Sequence, residues 1–145
     1  MANDLSAVGQ AALLHALREG NELGQRYGVS LSEGQMQALA DARETALRDM
    51  GRVEFGPGVL PRLMYALCDS PYANRADWFD TLLAMQEAFY YYKSECGDAF
   101  ADDELAEALA LAFNGPAQGD VDFVQGLSPE ELYRLWREGR MPDDE

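Results

Sequence analysis

The sequence lacks isoleucine and contains only six valines and two threonines, against 21 alanines and 19 leucines. Strands favour β-branched residues, whereas helices favour alanine and leucine. Eight β-branched residues among 145 are too few for a sheet of ordinary size. The composition therefore predicts an all-α fold.

Cysteine and histidine are also scarce, since the chain has two cysteines and one histidine, His15. Cys68 and Cys96 are too few for a disulfide scaffold and are expected to be reduced thiols. A single histidine cannot supply the paired Glu-x-x-His motifs of a helical di-metal site. The acidic run from Asp98 lacks the glycine and glutamate of an EF-hand loop. No catalytic residue, metal site or cofactor is predicted.

Long apolar runs are missing as well. No segment approaches the roughly 18 uninterrupted apolar residues that a membrane span requires. The apolar stretch over residues 5–17 has no basic segment before it, as a signal peptide would. These features predict a cytoplasmic protein that does not contact a membrane.

Basic residues are outnumbered by acidic ones, 11 to 26, which gives a net charge of −15. Most of the excess lies in residues 76–145, where 17 acidic residues face four basic ones. Such a field repels phosphate backbones, so direct nucleic-acid binding is disfavoured. A protein partner of unknown identity, including one with a basic surface, is compatible with this charge.

Capping signals and apolar periodicity predict a compact bundle of five to six helices in one domain, residues 1–145, with frayed ends at about 1–8 and 141–145. Capping boxes begin helices at Ser32 and Ser128. The longest helix, about 75–95, has a continuous apolar stripe at steps of four and three residues: Trp78, Leu82, Met85, Phe89, Tyr92 and Cys96. Further helices are expected at about 10–27, 59–68 and 103–113, and a short helical turn at 121–125.

An arginine, Arg43, interrupts the inward-facing stripe of the helix that follows Ser32. Such a residue either extends its guanidinium to the surface or pairs with a carboxylate from another segment. Glu54 and Asp69 flank the next helix and are the expected partners. The predicted role of this ion pair is structural.

The glycine-rich segment before residue 59 is the best small-molecule candidate. Gly56 and Gly58 lead into a helix start, and Arg52 and Arg62 flank them. Backbone amides and two guanidinium groups suit a phosphate or carboxylate. The alternative is an ordinary structural turn.

The aromatic run over residues 89–92 covers more than half of its helix. Tyr90 and Tyr91 lie off the apolar stripe, and Leu111 shares a helix face with glutamates. An aromatic patch rimmed by acidic residues suits a protein partner. The alternative is that another helix of the same chain covers these side chains.

Five segments appear in an order that resembles a known family: Gly51-Arg52-Val53-Glu54, Cys68-Asp69-Ser70-Pro71-Tyr72, Phe89-Tyr90-Tyr91-Tyr92-Lys93, Asp102-Asp103-Glu104-Leu105 and Gln118-Gly119. The chain is similar over about residues 25–125 to a small bacterial family known only as a domain of unknown function. The resemblance implies a bacterial, intracellular, helical protein. It implies no activity, cofactor or catalytic residue.

Two functional hypotheses follow from these features. The first is a non-enzymatic protein-interaction module that uses Tyr90, Tyr91 and Leu111. The second is a protein that binds or transforms a small anionic metabolite in a pocket at Arg52, Gly56, Gly58 and Arg62.

Overall fold

The computed structural model describes residues 2–54, 56–96 and 99–140, with side chains from residue 9 to residue 139. It contains seven helices in these ranges: α1 (Ala2–Arg26), α2 (Glu33–Met50), α3 (Leu60–Leu67), α4 (Trp78–Cys96), α5 (Asp102–Asn114), α6 (Val121–Gly126) and α7 (Pro129–Arg140). No strand occurs among the described residues, so the predicted all-α class is confirmed. The prediction of five to six helices is corrected to seven, because the short turn at residue 121 is itself a helix.

Helix α6 exists because Asp120 caps its first turn. The Asp120 carboxylate accepts hydrogen bonds from the backbone N–H groups of Asp122 and Phe123. The capping boxes predicted at Ser32 and Ser128 are also present, with reciprocal bonds to residues 35 and 131. Each side-chain oxygen satisfies amide groups that the helix itself cannot pair.

The core forms around α3 and α4. The side chains of Trp78, Leu82, Met85, Phe89 and Tyr92 on α4 are all buried, as their spacing predicts. Helix α3 contacts α1, α4 and α5, which explains why it is apolar on most of its surface. These contacts place α3 and α4 at the centre of the bundle.

The N-terminal helix is longer than its sequence pattern predicts. Helix α1 begins at Ala2 rather than near residue 10, so the backbone over 2–8, where fraying is expected, is helical. The frayed tail predicted at 141–145 lies outside the described residues. None of the helices in the described ranges is long and apolar enough to cross a membrane.

Helix α2 packs against α1 on one side and α4 on another. It ends at Met50, and residues 51–59 connect it to α3. This segment, called the connection below, therefore begins where α1, α2 and α4 come together. The polar side chains of this region converge there.

Candidate functional site

Arg43 is the buried charge at this convergence, with 3 % of its surface exposed. Its Nε and Nη2 atoms lie 3.1 and 2.9 Å from Oε1 of Glu54. Nη2 also donates to the Gly56 carbonyl at 2.7 Å, and Nη1 donates to the Gly9 carbonyl at 3.2 Å. Arg43 thus joins α2 to α1 and to the connection.

The structure distinguishes between the two carboxylates proposed as partners for Arg43. Glu54 forms the ion pair, and its side chain is only 11 % exposed. Asp69 is exposed, and the hydrogen bonds and ion pair described for Arg43 do not include it. Asp69 therefore has no part in this cluster, because the end of α3 directs it to solvent.

Tyr90 is a further hydrogen-bond partner of Glu54. Its hydroxyl group donates to Glu54 Oε1 at 2.9 Å, and its ring packs edge-on against Phe89. Burial, followed by the negative charge of Glu54, raises the pKa of Tyr90 well above its ordinary value. The hydroxyl group is a permanent donor that holds the buried carboxylate in place.

Arg52 extends the cluster towards α5. Its Nε donates to Glu54 Oε2 at 2.9 Å, and its Nη2 donates to Asp102 Oδ2 at 2.8 Å. Lys93 lies 3.0 Å from Asp102 Oδ1. Burial alone would raise the pKa of Asp102, but the hydrogen bond and charge of Lys93, with the charge of Arg52, lower it overall.

These contacts form a continuous network in which the charged side chains alternate in sign and the neutral Tyr90 hydroxyl group binds Glu54. It is called the Arg43 network and consists of Arg43, Glu54, Tyr90, Arg52, Asp102 and Lys93. Gly58 allows its compact geometry. A Cβ atom at Gly58 would lie 2.8 Å from Glu54 Oε1, and its backbone has a positive φ of 76°. Only glycine fits both conditions without strain.

A groove of about 290 Å³ lies beside the Arg43 network, between α1, α2 and the connection. Ala40, Leu47 and Val53 supply its apolar wall. Val53 is 63 % exposed, so part of this apolar wall is in contact with solvent. The groove is near the lower limit of ligand-pocket size in proteins.

Three arginines line the groove: Arg43, Arg48 and Arg52. Two glutamates, Glu44 and Glu54, also line it. The groove therefore carries a formal excess of one positive charge, in a chain whose net charge is −15. It is suited to a small anion.

The three arginines differ in how many of their guanidinium N–H donors are already used in hydrogen bonds. A guanidinium group has five N–H donors, and Arg43 donates four hydrogen bonds. Arg52 donates two hydrogen bonds among the described residues, from Nε and Nη2. Arg48 is 70 % exposed and forms an ion pair with Glu44 at 3.8 Å, which is too long for a hydrogen bond. Arg52 and Arg48, rather than Arg43, can therefore bind a ligand.

The pocket proposed from the glycine-rich segment is not assembled as expected. Arg52 lines the groove, but Gly56 is exposed and Gly58 faces the Arg43 network. Arg62 is exposed and pairs with Asp103 at the start of α5. Helix α3 carries Arg62 towards α5, whereas the groove lies between α1, α2 and the connection.

The proposed aromatic patch is not one surface either. Tyr90 is only 4 % exposed because α2 and the connection cover it, whereas Tyr91 is 50 % exposed. Leu111 is partly covered by α7, and its Cδ1 lies 2.9 Å from the position of a Cβ atom at Gly139. Tyr91 is therefore the one member of the three that is well exposed.

Sequence reasoning did not identify Gly9, Arg48 and Val53 as residues of a site. Gly9 comes from α1, and no local pattern indicates that this helix reaches Arg43. Arg48 and Val53 resemble ordinary surface residues in the sequence. No signal in the sequence sets them apart, because the groove forms only when α1 and α2 pack together.

The arrangement is that of an all-helical protein with a buried ion-pair network beside a small basic groove. No cluster of three or more metal-ligating side chains occurs among the described residues. A family model described as a family of unknown function, DUF6323, matches residues 16–142. The chain belongs to this family, which confirms the family resemblance of its sequence. No curated protein and no solved structure matches the chain.

Proposed function

We propose that this protein is a non-enzymatic binding protein for a small organic anion. The groove between α1, α2 and the connection holds the ligand against Arg52 and Arg48. The observation that supports the proposal is the excess of guanidinium groups in this groove, beside an apolar wall, in a strongly acidic chain. Small-molecule sites typically combine an apolar lining with a few placed polar donors.

The non-enzymatic part of the proposal rests on the state of the nucleophile and base candidates. Burial, followed by the charge of Asp69, raises the pKa of the Cys68 thiol, which disfavours the reactive thiolate. His15 has an exposed side chain and pairs with Glu19 on the surface of α1. Neither residue lines the groove.

The proposal is tested by calorimetric titration with a panel of acetate, butyrate, succinate and inorganic phosphate. At least one anion should bind, and Arg52→Gln should weaken that binding about tenfold or more, since one charge-assisted hydrogen bond contributes roughly 1.5–3 kcal/mol. Arg48→Gln should weaken it less, because its long side chain is mostly exposed.

Arg62→Gln is the matched control, because Arg62 is an arginine next to the connection that does not line the groove. It should bind the anion as tightly as the wild-type protein. Absence of binding by every member of the panel would contradict the proposal. Equal loss in the Arg62 and Arg52 variants would contradict the location of the site.

A second candidate function is a protein-interaction module centred on Tyr91. Half of this side chain is exposed, and Glu87, one turn earlier on α4, is exposed as well. Exposed tyrosines beside charged residues are common in interfaces. Tyr91→Ala should then reduce capture of a native partner in a pull-down about tenfold or more. Tyr133→Ala, at a less exposed tyrosine on α7, is the control, and equal capture by both variants would contradict this candidate.

A further inference from the structure

We infer that the ligand of the groove is a monocarboxylate with a short unbranched apolar chain. This inference rests on the proposed anion-binding function and specifies its ligand class. The carboxylate lies against Arg52 and Arg48, and the apolar chain lies against Ala40, Leu47 and Val53.

The charge of the groove matches one negative charge. Its three arginines and two glutamates leave an excess of one positive charge. A second ligand charge would face Glu44 or Glu54 without a remaining cation to neutralise it. The rest of the chain, at −15, adds further repulsion. A dicarboxylate or a phosphate dianion is therefore disfavoured relative to a monocarboxylate.

The hydrogen bonds that Arg52 already makes leave donors for an oxyanion such as a carboxylate. Its Nε and Nη2 atoms hold Glu54 and Asp102, which fixes the plane of the guanidinium group. The Nη1 donors are not used by these two bonds. A guanidinium held in this way presents preorganised donors to a planar carboxylate, and Arg48 can supply a second cation.

The apolar wall indicates what the rest of the ligand is. Val53 is exposed, and Leu47 is half-buried at the same groove. A ligand chain that covers them removes apolar surface from water, which strengthens binding by about fourfold per methylene group. A phosphate ion or a purely polar ligand would leave this wall exposed.

The size of the groove limits the chain length. A volume of about 290 Å³ equals the liquid volume of roughly ten water molecules. A groove of this size suits a short ligand, and octanoate, with about ten non-hydrogen atoms, is of comparable volume. Longer chains extend into solvent, so their additional methylene groups contribute little.

The inference is tested by calorimetric titration of the full chain with acetate, butyrate, hexanoate, octanoate and decanoate, and with succinate and inorganic phosphate. Affinity should rise with each methylene group from acetate to octanoate, by up to about fourfold per group, and level off at decanoate. Succinate should bind at least tenfold more weakly than butyrate, which has the same number of carbon atoms.

Two substitutions at Val53 test the ligand class, and circular dichroism of each variant shows whether a loss of binding is caused by unfolding. Val53→Asp adds a negative charge to the groove at an exposed position and should abolish binding of hexanoate. Val53→Thr keeps the shape and replaces one methyl group with a hydroxyl group, and it should retain binding within about fivefold. Circular dichroism should show both variants folded.

Three outcomes can be distinguished. A rising affinity that is lost in Val53→Asp supports the inference. If phosphate or succinate binds in an Arg52-dependent manner and hexanoate does not, the ligand class is wrong while the anion-binding function stands. If no anion binds, the inference and the proposed function both fail.

Discussion

Replacement of Arg43 by methionine should lower the free energy of unfolding by about 3–5 kcal/mol. The substitution keeps most of the side-chain volume but removes the cation from the Arg43 network. Glu54, whose side chain is only 11 % exposed, then has Arg52 and the Tyr90 hydroxyl group as its partners among the described residues. The Gly9 and Gly56 carbonyl groups also lose their donors. Urea denaturation monitored by circular dichroism measures the loss.

Arg18→Met is the matched control for this prediction. Arg18 also pairs with a glutamate from another segment, Glu33, but both side chains are more than half exposed. Exposed ion pairs contribute about 1 kcal/mol or less, so the control should lose little stability. Similar losses in the two variants would contradict the energetic importance of the Arg43 network.

A double variant shows how much of the lost stability comes from the Glu54 charge that no longer has Arg43 beside it. Adding Glu54→Gln to Arg43→Met removes the buried charge that lacks its partner. The double variant should therefore lose less stability than the sum of the two single variants, with a coupling energy of about 1 kcal/mol or more. Additive losses would mean that the ion pair with Glu54 does not account for the stabilising effect of Arg43.

Replacement of Gly119 by alanine should lower the free energy of unfolding by about 3 kcal/mol, from backbone strain together with overpacking. Gly119 has a positive φ of 86°, and a Cβ atom there would lie 2.7 Å from Cβ of Tyr72. Tyr72 cannot easily move, because the Ser70 hydroxyl group accepts a bond from its backbone N–H and donates to Asn114. The turn after α5 and the segment after α3 would have to separate.

Gly28→Ala is a control with the same backbone conformation. Its φ is 88°, but a Cβ atom at Gly28 would meet nothing within 4 Å. It should therefore show only the cost of the positive φ, about 1 kcal/mol. If the two variants have equal m-values in urea, their denaturation midpoints give the difference in free energy of unfolding directly. Equal destabilisation would show that the contact with Tyr72 does not limit this turn.

Much of the fold follows from local features of the sequence. The shortage of β-branched residues predicts the helical class, and the side chains of Ser32 and Ser128 predict where two helices begin. The stripe from Trp78 to Tyr92 predicts which face of α4 is buried. These signals act between residues a few positions apart, so they are contained in the sequence itself. The segment at residue 121 is short enough that its classification as turn or helix depends on one cap.

The candidate site depends on contacts between distant residues. The sequence places Arg43 on an inward-facing stripe, but it leaves open whether the guanidinium group reaches the surface or pairs with Glu54 or Asp69. Tyr90 could equally be exposed beside Tyr91 or covered by another helix. These alternatives are decided by the directions in which α2, α3 and α4 pack, and no short pattern specifies them.

The sequence by itself therefore determined the helical class, most helix positions and the place of an arginine on an inward-facing helix stripe. Only the tertiary structure decided that Glu54 and Tyr90 share this arginine, that Arg62 turns away and that α1 closes a groove over Arg48 and Val53. The physical reason is the range of the interactions. Caps and periodicity act within one or two helical turns, whereas burial and ion pairing depend on which helix faces pack together.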